Sequence, residues 1–178
     1  MPLNETGVVQ AEVTGMGVAA EWKPATVYSS PLSPAIKTAE AIAKHFDLPM
    51  QIHPGLAYID YGGWQGLTPD KVRDRWPAEF QAWYHQHNEA IIPGGETLAQ
   101  LRFRSMSAVN ELSARHAEQT IVLVGHTVIN RIILLGVLGL GNERFWHFKQ
   151  DTCAINVFRA EKGDFVLVSL NDTCHLHD

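Results

Sequence analysis

One segment of the sequence constrains the fold more than any other: the run Ile121-Val-Leu-Val-Gly125-His126-Thr127. Thr120–Val124 is apolar and rich in β-branched residues, which is typical of a strand buried on both faces within a parallel sheet. Gly125 follows as a sharp turn, and the apolar residues of Thr127–Leu138 then predict a buried helix. A strand that runs directly into a helix indicates an α/β fold. It also places His126 at the carboxyl end of a strand, where such folds bind ligands.

The rest of the chain also alternates between helices and strands. The predicted helices are Glu5–Trp22 with Asn4 or Thr6 as its cap, Pro34–Phe46 with Ser33 as its cap, Pro69–Trp76, Pro77–His87 and Thr97–His116. The predicted strands are Ala25–Tyr28, Met50–His53, and a hairpin of Ala154–Arg159 and Phe165–Leu170 around Glu161-Lys162-Gly163-Asp164. This order predicts a mixed sheet in one domain, residues 1–178, with residues 56–95 as a helical and loop insertion over one end of the sheet.

Composition and charge exclude several classes of function. The 178 residues include 19 acids and 14 bases, so the net charge of −5 offers no general attraction for nucleic acid or an acidic membrane surface. The longest apolar stretch, Val128–Leu140, is interrupted by Asn130 and Arg131 and is too short to span a bilayer. Two cysteines imply no disulfide framework, and the N-terminus lacks the features of a signal peptide, so we expect a cytoplasmic protein.

Two segments are candidates for binding an anion. At His126 the free amides and the dipole of the following helix attract negative charge, and a protonated imidazole can donate to a phosphate oxygen. The alternative is a loop histidine that is bonded to backbone. The second segment is Ser29-Ser30-Pro31-Leu32, between a strand and a helix, which is either an anion site or a simple turn capped by Ser33.

Other patterns carry less information. The loop Ile59–Gly66 either lines a pocket or packs over an edge, and Pro93–Thr97 is a helix entry with an acid in its first turn. A dinucleotide-type glycine pattern at residues 15–20 lies inside a predicted helix, so we predict no such cofactor. We also predict no metal, because His85 and His87 do not share a helical face. The C-terminal tail also carries potential metal ligands, namely Cys174, His175, His177 and Asp178. We predict no metal there either, because four donors within five residues rarely close around one ion.

Six segments in order resemble the histidine phosphatase superfamily, the branch that contains cofactor-dependent phosphoglycerate mutases and related phosphatases. They are PLNETGVVQAE, VYSSPLSPAIKTAEAIA, IDYGGWQGLTPDKV, PGGETL, VLVGHTVINRIILLGVLGL and SLNDTCHL, spanning Pro2 to Leu176. The resemblance implies a three-layer α/β/α sandwich with a mixed, mostly parallel sheet. It also implies phosphoryl transfer through a phosphohistidine.

The resemblance carries over to individual residues. His126 matches the family's second histidine, which donates to the transferring phosphoryl group, and we expect Ser29, Ser30 and Thr127 beside it as substrate-binding residues. The nucleophilic histidine of the family, in an Arg-His-Gly motif that ends the first strand, has no counterpart in this sequence. The family's phosphate-binding arginine falls at Pro34 and its general acid at Tyr58, with Asp60 as a conceivable substitute for that acid.

Two hypotheses follow, and the first is favoured. The chain is a non-catalytic relative that binds phosphate or a small phosphorylated ligand, because phosphoryl transfer depends on positioned positive charge and on a nucleophile. Alternatively, it is part of an active phosphomonoesterase or phosphomutase whose full chain is longer. In either case the absent strand would lie beside Thr120–Val124, so we expect another chain or a rearranged segment to cover that edge, as a homo-oligomer or by strand exchange.

Overall fold

The structure is a computed structural model that describes residues 2–161 and 163–177. Lys162, in the predicted hairpin turn, and Asp178, in the predicted cluster of tail donors, lie outside the described residues. Across the described ranges, no helix combines the length and the apolar character that crossing a membrane requires.

Helices and strands alternate as the sequence predicts, with ends that differ by a few residues. The described helices are α1 (Glu5–Glu21), α2 (Ser33–Ala43), α3 (Pro69–Arg75), α4 (Pro77–His85), α5 (Leu98–Arg115) and α6 (Thr127–Val137). The described strands are β1 (Thr26–Ser29), β2 (Met50–Ile52), β3 (Ile121–Val124), β4 (Ile155–Glu161) and β5 (Asp164–Asp172). The expected Ser33 cap is wrong, because α2 begins at Ser33 and Leu32 occupies the cap position without a side-chain hydrogen bond. The hydroxyl of Ser30 instead accepts from the backbone N–H of Leu32.

Alternating side chains of β3 enter two separate hydrophobic clusters, and this divides the molecule into three layers. Ile121 and Leu123 pack against a cluster built largely from α5 and α6. Val122 and Val124 pack against a smaller cluster that contains residues of α1 and α2. Because successive strand residues point to opposite faces, β3 needs apolar residues at every position. The α/β/α architecture is therefore confirmed.

The strands form two sheets. One is a parallel sheet in the order β2–β1–β3, and the other is the antiparallel hairpin β4–β5. The sequence predicted one mixed sheet, but the parallel and antiparallel strands form separate sheets. They are separate because, among the described residues, β3 pairs with a neighbour on one side only. The N–H of Ser30 donates to the carbonyl of Val124 at 2.9 Å. Since backbone polar groups alternate between the two edges of a strand, those of Ile121 and Leu123 point to the unpaired edge.

Candidate functional site

His126 lies where β3 ends and α6 begins, and its ring faces the end of the neighbouring strand. It is the N-terminal cap residue of α6, with an extended backbone. Its Nε2 lies 2.8 Å from the hydroxyl oxygen of Ser30, which directly follows β1. Parallel neighbours end at the same edge of a sheet, so residues 96 positions apart meet there. The predicted location of His126 beside the Ser29–Ser33 turn is confirmed, whereas its role in binding stays a prediction.

A side chain at position 125 would crowd side chains in the first turn of α6. A β-carbon at position 125 would lie 2.6 Å from Oδ1 of Asn130, which no real structure tolerates without movement. Gly125 is not among the residues with positive φ. In place of a turn that needs positive φ, Gly125 makes a close approach to side chains in the first turn of α6.

The other predicted binding residues differ in their contact with His126. Ser29 is fully buried, and its hydroxyl donates to the carbonyl of Ser30 at 2.9 Å. Thr127 is the first residue of α6 and is half-buried beside His126. Of the two serine hydroxyls, that of Ser30 is the one in contact with His126.

Tyr58 forms an aromatic wall over His126. The ring centroids of Tyr58 and His126 are 4.9 Å apart, and Tyr61 packs edge-on against Tyr58 with centroids 5.5 Å apart. Burial, followed by the neighbouring hydroxyl of Tyr58, raises the pKa of Tyr61 far above its ordinary value, so its phenol remains protonated. The position matched to the family's general acid is thus close to His126, but it presents an aromatic ring.

The loops Ile59–Gly66 and Pro93–Thr97 pack against each other next to Tyr58. The N–H of Gly63 donates to the carbonyl of Pro93, and the N–H of Glu96 donates to the carbonyl of Asp60, both at 2.8 Å. Together the loops border a shallow cleft of about 440 Å³ that Tyr58 also lines. The loop Ile59–Gly66 therefore contributes Asp60 to the lining of a cleft, whereas its packing over an edge stays a prediction.

The carboxylate of Asp60 is engaged within its own loop. Its Oδ1 accepts from the N–H of Gly62 at 2.8 Å and from the side-chain amide of Gln65 at 2.7 Å. These bonds stabilise the turn at Gly62, where φ is +44° and a β-carbon would collide with the backbone of Gly94. The geometry accounts for Asp60 as a loop-stabilising residue.

Pro34 lies in the first turn of α2, close in sequence to Ser30, and is half-buried. Its ring supplies no hydrogen-bond donor to the site. One cleft residue, Arg104 of α5, was missed in the sequence because three of its five bonds go to backbone carbonyls 46 to 49 residues away. Within residues 2–161 and 163–177, no group of three or more His, Cys, Asp or Glu side chains is arranged to hold a metal ion.

Burial of His126 makes stability depend on pH. Desolvation lowers the pKa of its imidazole below the ordinary 6.5, so the unfolded chain binds this proton more readily than the folded chain. We expect the free energy of unfolding to fall as the pH drops below 6.5 and through the lowered folded-state pKa of His126. Urea denaturation across this range measures the effect. His126→Gln should flatten the decline, whereas His147→Gln, at an exposed position, should leave it unchanged.

Comparison with known proteins gives a consistent picture. Residues 1–173 match the family model described as histidine phosphatase superfamily (branch 1). The chain is 33% identical over 174 residues to phosphoserine phosphatase 1 of Hydrogenobacter thermophilus, covering 98% of this chain and 82% of that protein. It is 31% identical over 176 residues to a metal-independent phosphoserine phosphatase of Arabidopsis thaliana, covering 98% of this chain and 72% of that protein.

Solved structures agree in fold. The structure described as Bacillus stearothermophilus YhfR matches with a TM-score of 0.94 and 23% identity, over 99% of this chain and 87% of that chain. A mutant phosphoserine phosphatase from Entamoeba histolytica, in complex with phosphoserine, matches with a TM-score of 0.87 and 24% identity, over 98% of this chain and 86% of that chain. At this level of identity, these similarities establish the fold.

Proposed function

The chain belongs to the histidine phosphatase superfamily (branch 1), and on that basis we propose that its His126 site binds the phosphate group of a small phosphomonoester. The observation that carries this proposal is the 2.8 Å contact between His126 Nε2 and the Ser30 hydroxyl at the amino end of α6. Two side-chain hydrogen-bonding groups and the first amides of a helix converge there. Such a combination suits the oxygens of a phosphate.

We further propose that the 178-residue chain on its own turns over little substrate. Pro34 offers no positive charge, and Tyr58 is a much weaker acid than a carboxylic acid. The guanidinium of Arg104 lies in the adjacent cleft, but all five of its N–H donors are used within the protein. The described site therefore lacks the concentrated positive charge that stabilises a transferring phosphoryl group.

The proposed ligand is a small molecule of the phosphoserine kind. Two relatives at 33% and 31% identity carry the name phosphoserine phosphatase. One of them is named as metal-independent, and for the His126 site we likewise propose binding without a metal. Tyr58 lies against the His126 ring and also lines the shallow cleft, and we propose that this cleft takes the remainder of such a molecule.

A second candidate function is an active phosphomonoesterase, and the unpaired edge of β3 favours it. A strand bound along that edge would end beside His126, because β3 itself does. If that strand carried Arg-His-Gly, it would bring a nucleophilic imidazole and an arginine to the site together. Such a strand could belong to further residues of the same protein or to a second copy.

Phosphate binding tests the first proposal directly. Inorganic phosphate or phosphoserine is titrated into protein labelled at histidine, and the imidazole signals are followed by NMR. We expect a saturable shift of the His126 signals in the original chain. The affinity of each variant is measured by calorimetry, and it should fall about tenfold or more in His126→Ala, since a charge-assisted hydrogen bond is removed. His147→Ala is the matched control at an exposed position. Unchanged affinity in His126→Ala would place the binding elsewhere and refute the proposal.

A further inference from the structure

We propose that Arg104 is a positioning residue that holds the backbone of residues 55–58 so that the Tyr58 ring stays over His126. This inference rests on the proposed function of the His126 site and adds a residue to it. Arg104 lies on α5 and acts on the site through the Tyr58 segment, whose three carbonyls it contacts. Neither the family resemblance nor the sequence patterns single it out.

The guanidinium of Arg104 is fully committed to two groups of partners. Nε and one Nη2 hydrogen donate to the two carboxylate oxygens of Glu96, at 2.7 and 2.8 Å. The remaining donors reach three backbone carbonyls of one segment, at 3.1, 2.9 and 3.0 Å, those of Gly55, Ala57 and Tyr58. An arginine has five N–H groups, so none remains for a ligand.

Three carbonyls bound by one rigid, planar group restrain the segment strongly. Arginine can do this because its donors are fixed in a fork, whereas the ammonium of lysine has three donors at a single point. Glu96 balances the charge of the guanidinium, and both side chains are mostly shielded from solvent, with 26% and 14% of their surfaces exposed. The carboxylate of Glu96 also accepts weakly from the N–H of Asp60, which ties the next loop to the same centre.

Restraint of the backbone at Tyr58 determines the surroundings of His126. The backbone carbonyl of Tyr58 accepts a hydrogen bond from Arg104. The centroid of the Tyr58 ring lies 4.9 Å from the centroid of the His126 imidazole. A segment freed from Arg104 would let this ring move away and let water reach His126. The charges behind the segment, those of Arg104 and Glu96, compensate each other. Loss of the hydrogen bonds from Arg104 should therefore act on His126 mainly by moving the Tyr58 ring.

The test compares Arg104→Lys with Arg102→Lys. Arg102 lies two residues away on α5 and also bonds to protein groups, the carbonyl of Leu140 and the side chain of Asn142, but these are outside the site. The imidazole signals of His126 are recorded by NMR as a function of pH, without phosphate. For Arg104→Lys we expect the His126 signals to shift and its titration midpoint to rise toward 6.5, because solvent reaches the ring. Arg102→Lys should leave both unchanged.

A second comparison separates positioning from a general loss of structure. In a Tyr58→Ala background, Arg104→Lys should have no further effect on the His126 titration, because the group through which it acts is gone. An unchanged His126 titration in Arg104→Lys, or equal effects with and without the Tyr58 ring, would overturn the inference. A shifted titration without any phosphate binding would instead leave the positioning role standing and refute the proposed function.

Discussion

Release of inorganic phosphate by the 178-residue chain is expected to be negligible, and extension with a strand ending in Arg-His-Gly should raise it by orders of magnitude. His126 and Ser30 can bind a phosphate, but the described site offers no nucleophilic imidazole in contact with them. Loss of a covalent nucleophile removes the two-step route altogether, and each missing charge around the phosphoryl oxygens costs further factors of about 10²–10³. The assay uses a generic aryl phosphate and phosphoserine.

The variants in this assay form a graded series. Pro34→Arg combined with Tyr58→Glu should recover little activity, because charge and acid are restored without a nucleophile. The same double variant with the added strand should recover far more, and an added strand ending in Arg-Ala-Gly is the matched control. Robust turnover by the unextended chain, abolished by His126→Ala, would contradict the prediction. His53 would then be the first residue to reconsider, although its Nδ1 already accepts from the N–H of Gly55 at 3.1 Å.

The second large effect concerns assembly. The chain should be at least a dimer in solution, with another strand, from a second copy or a rearranged segment, paired along β3. The backbone groups of Ile121 and Leu123 face that edge, and all four residues of β3 are apolar yet only half-buried. An unpaired apolar edge is a template for another strand. Sedimentation or light scattering over a range of concentrations measures the mass.

A pair of substitutions at one residue isolates the strand edge. Leu123→Pro removes an N–H that points to the unpaired edge, whereas Leu123→Ala removes more of the side chain and keeps the N–H. We expect Leu123→Pro to be monomeric and Leu123→Ala to assemble like the original chain. The active extended chain should also be monomeric, because its own strand occupies the edge. A monodisperse monomer of the unextended chain, with the edge of β3 open, would refute this prediction.

Local sequence patterns determined the elements and the place of His126. Residues 121–138 predict a strand, a tight connection and a helix because each state has its own short-range pattern, and the structure has β3 and α6 there. Thr97 was likewise a visible helix start, and as the cap of α5 it forms a full capping box with Gln100. The acid expected in the first turn is wrong, because Glu96 precedes the cap and lies outside the helix. The uninterrupted apolar run of β3 also predicted two buried faces, which the two hydrophobic clusters provide.

Tertiary structure alone decided what surrounds that histidine. Ser30 meets His126 across 96 residues because β1 and β3 are neighbours in the sheet, and no local pattern sets the order of strands. Arg104 donates to the backbone carbonyl of Tyr58, which lies 46 residues away in the chain. The acceptor is a backbone group, and every residue has one. Carbonyl acceptors carry no residue-specific signal, so their partners become evident only once the chain has folded.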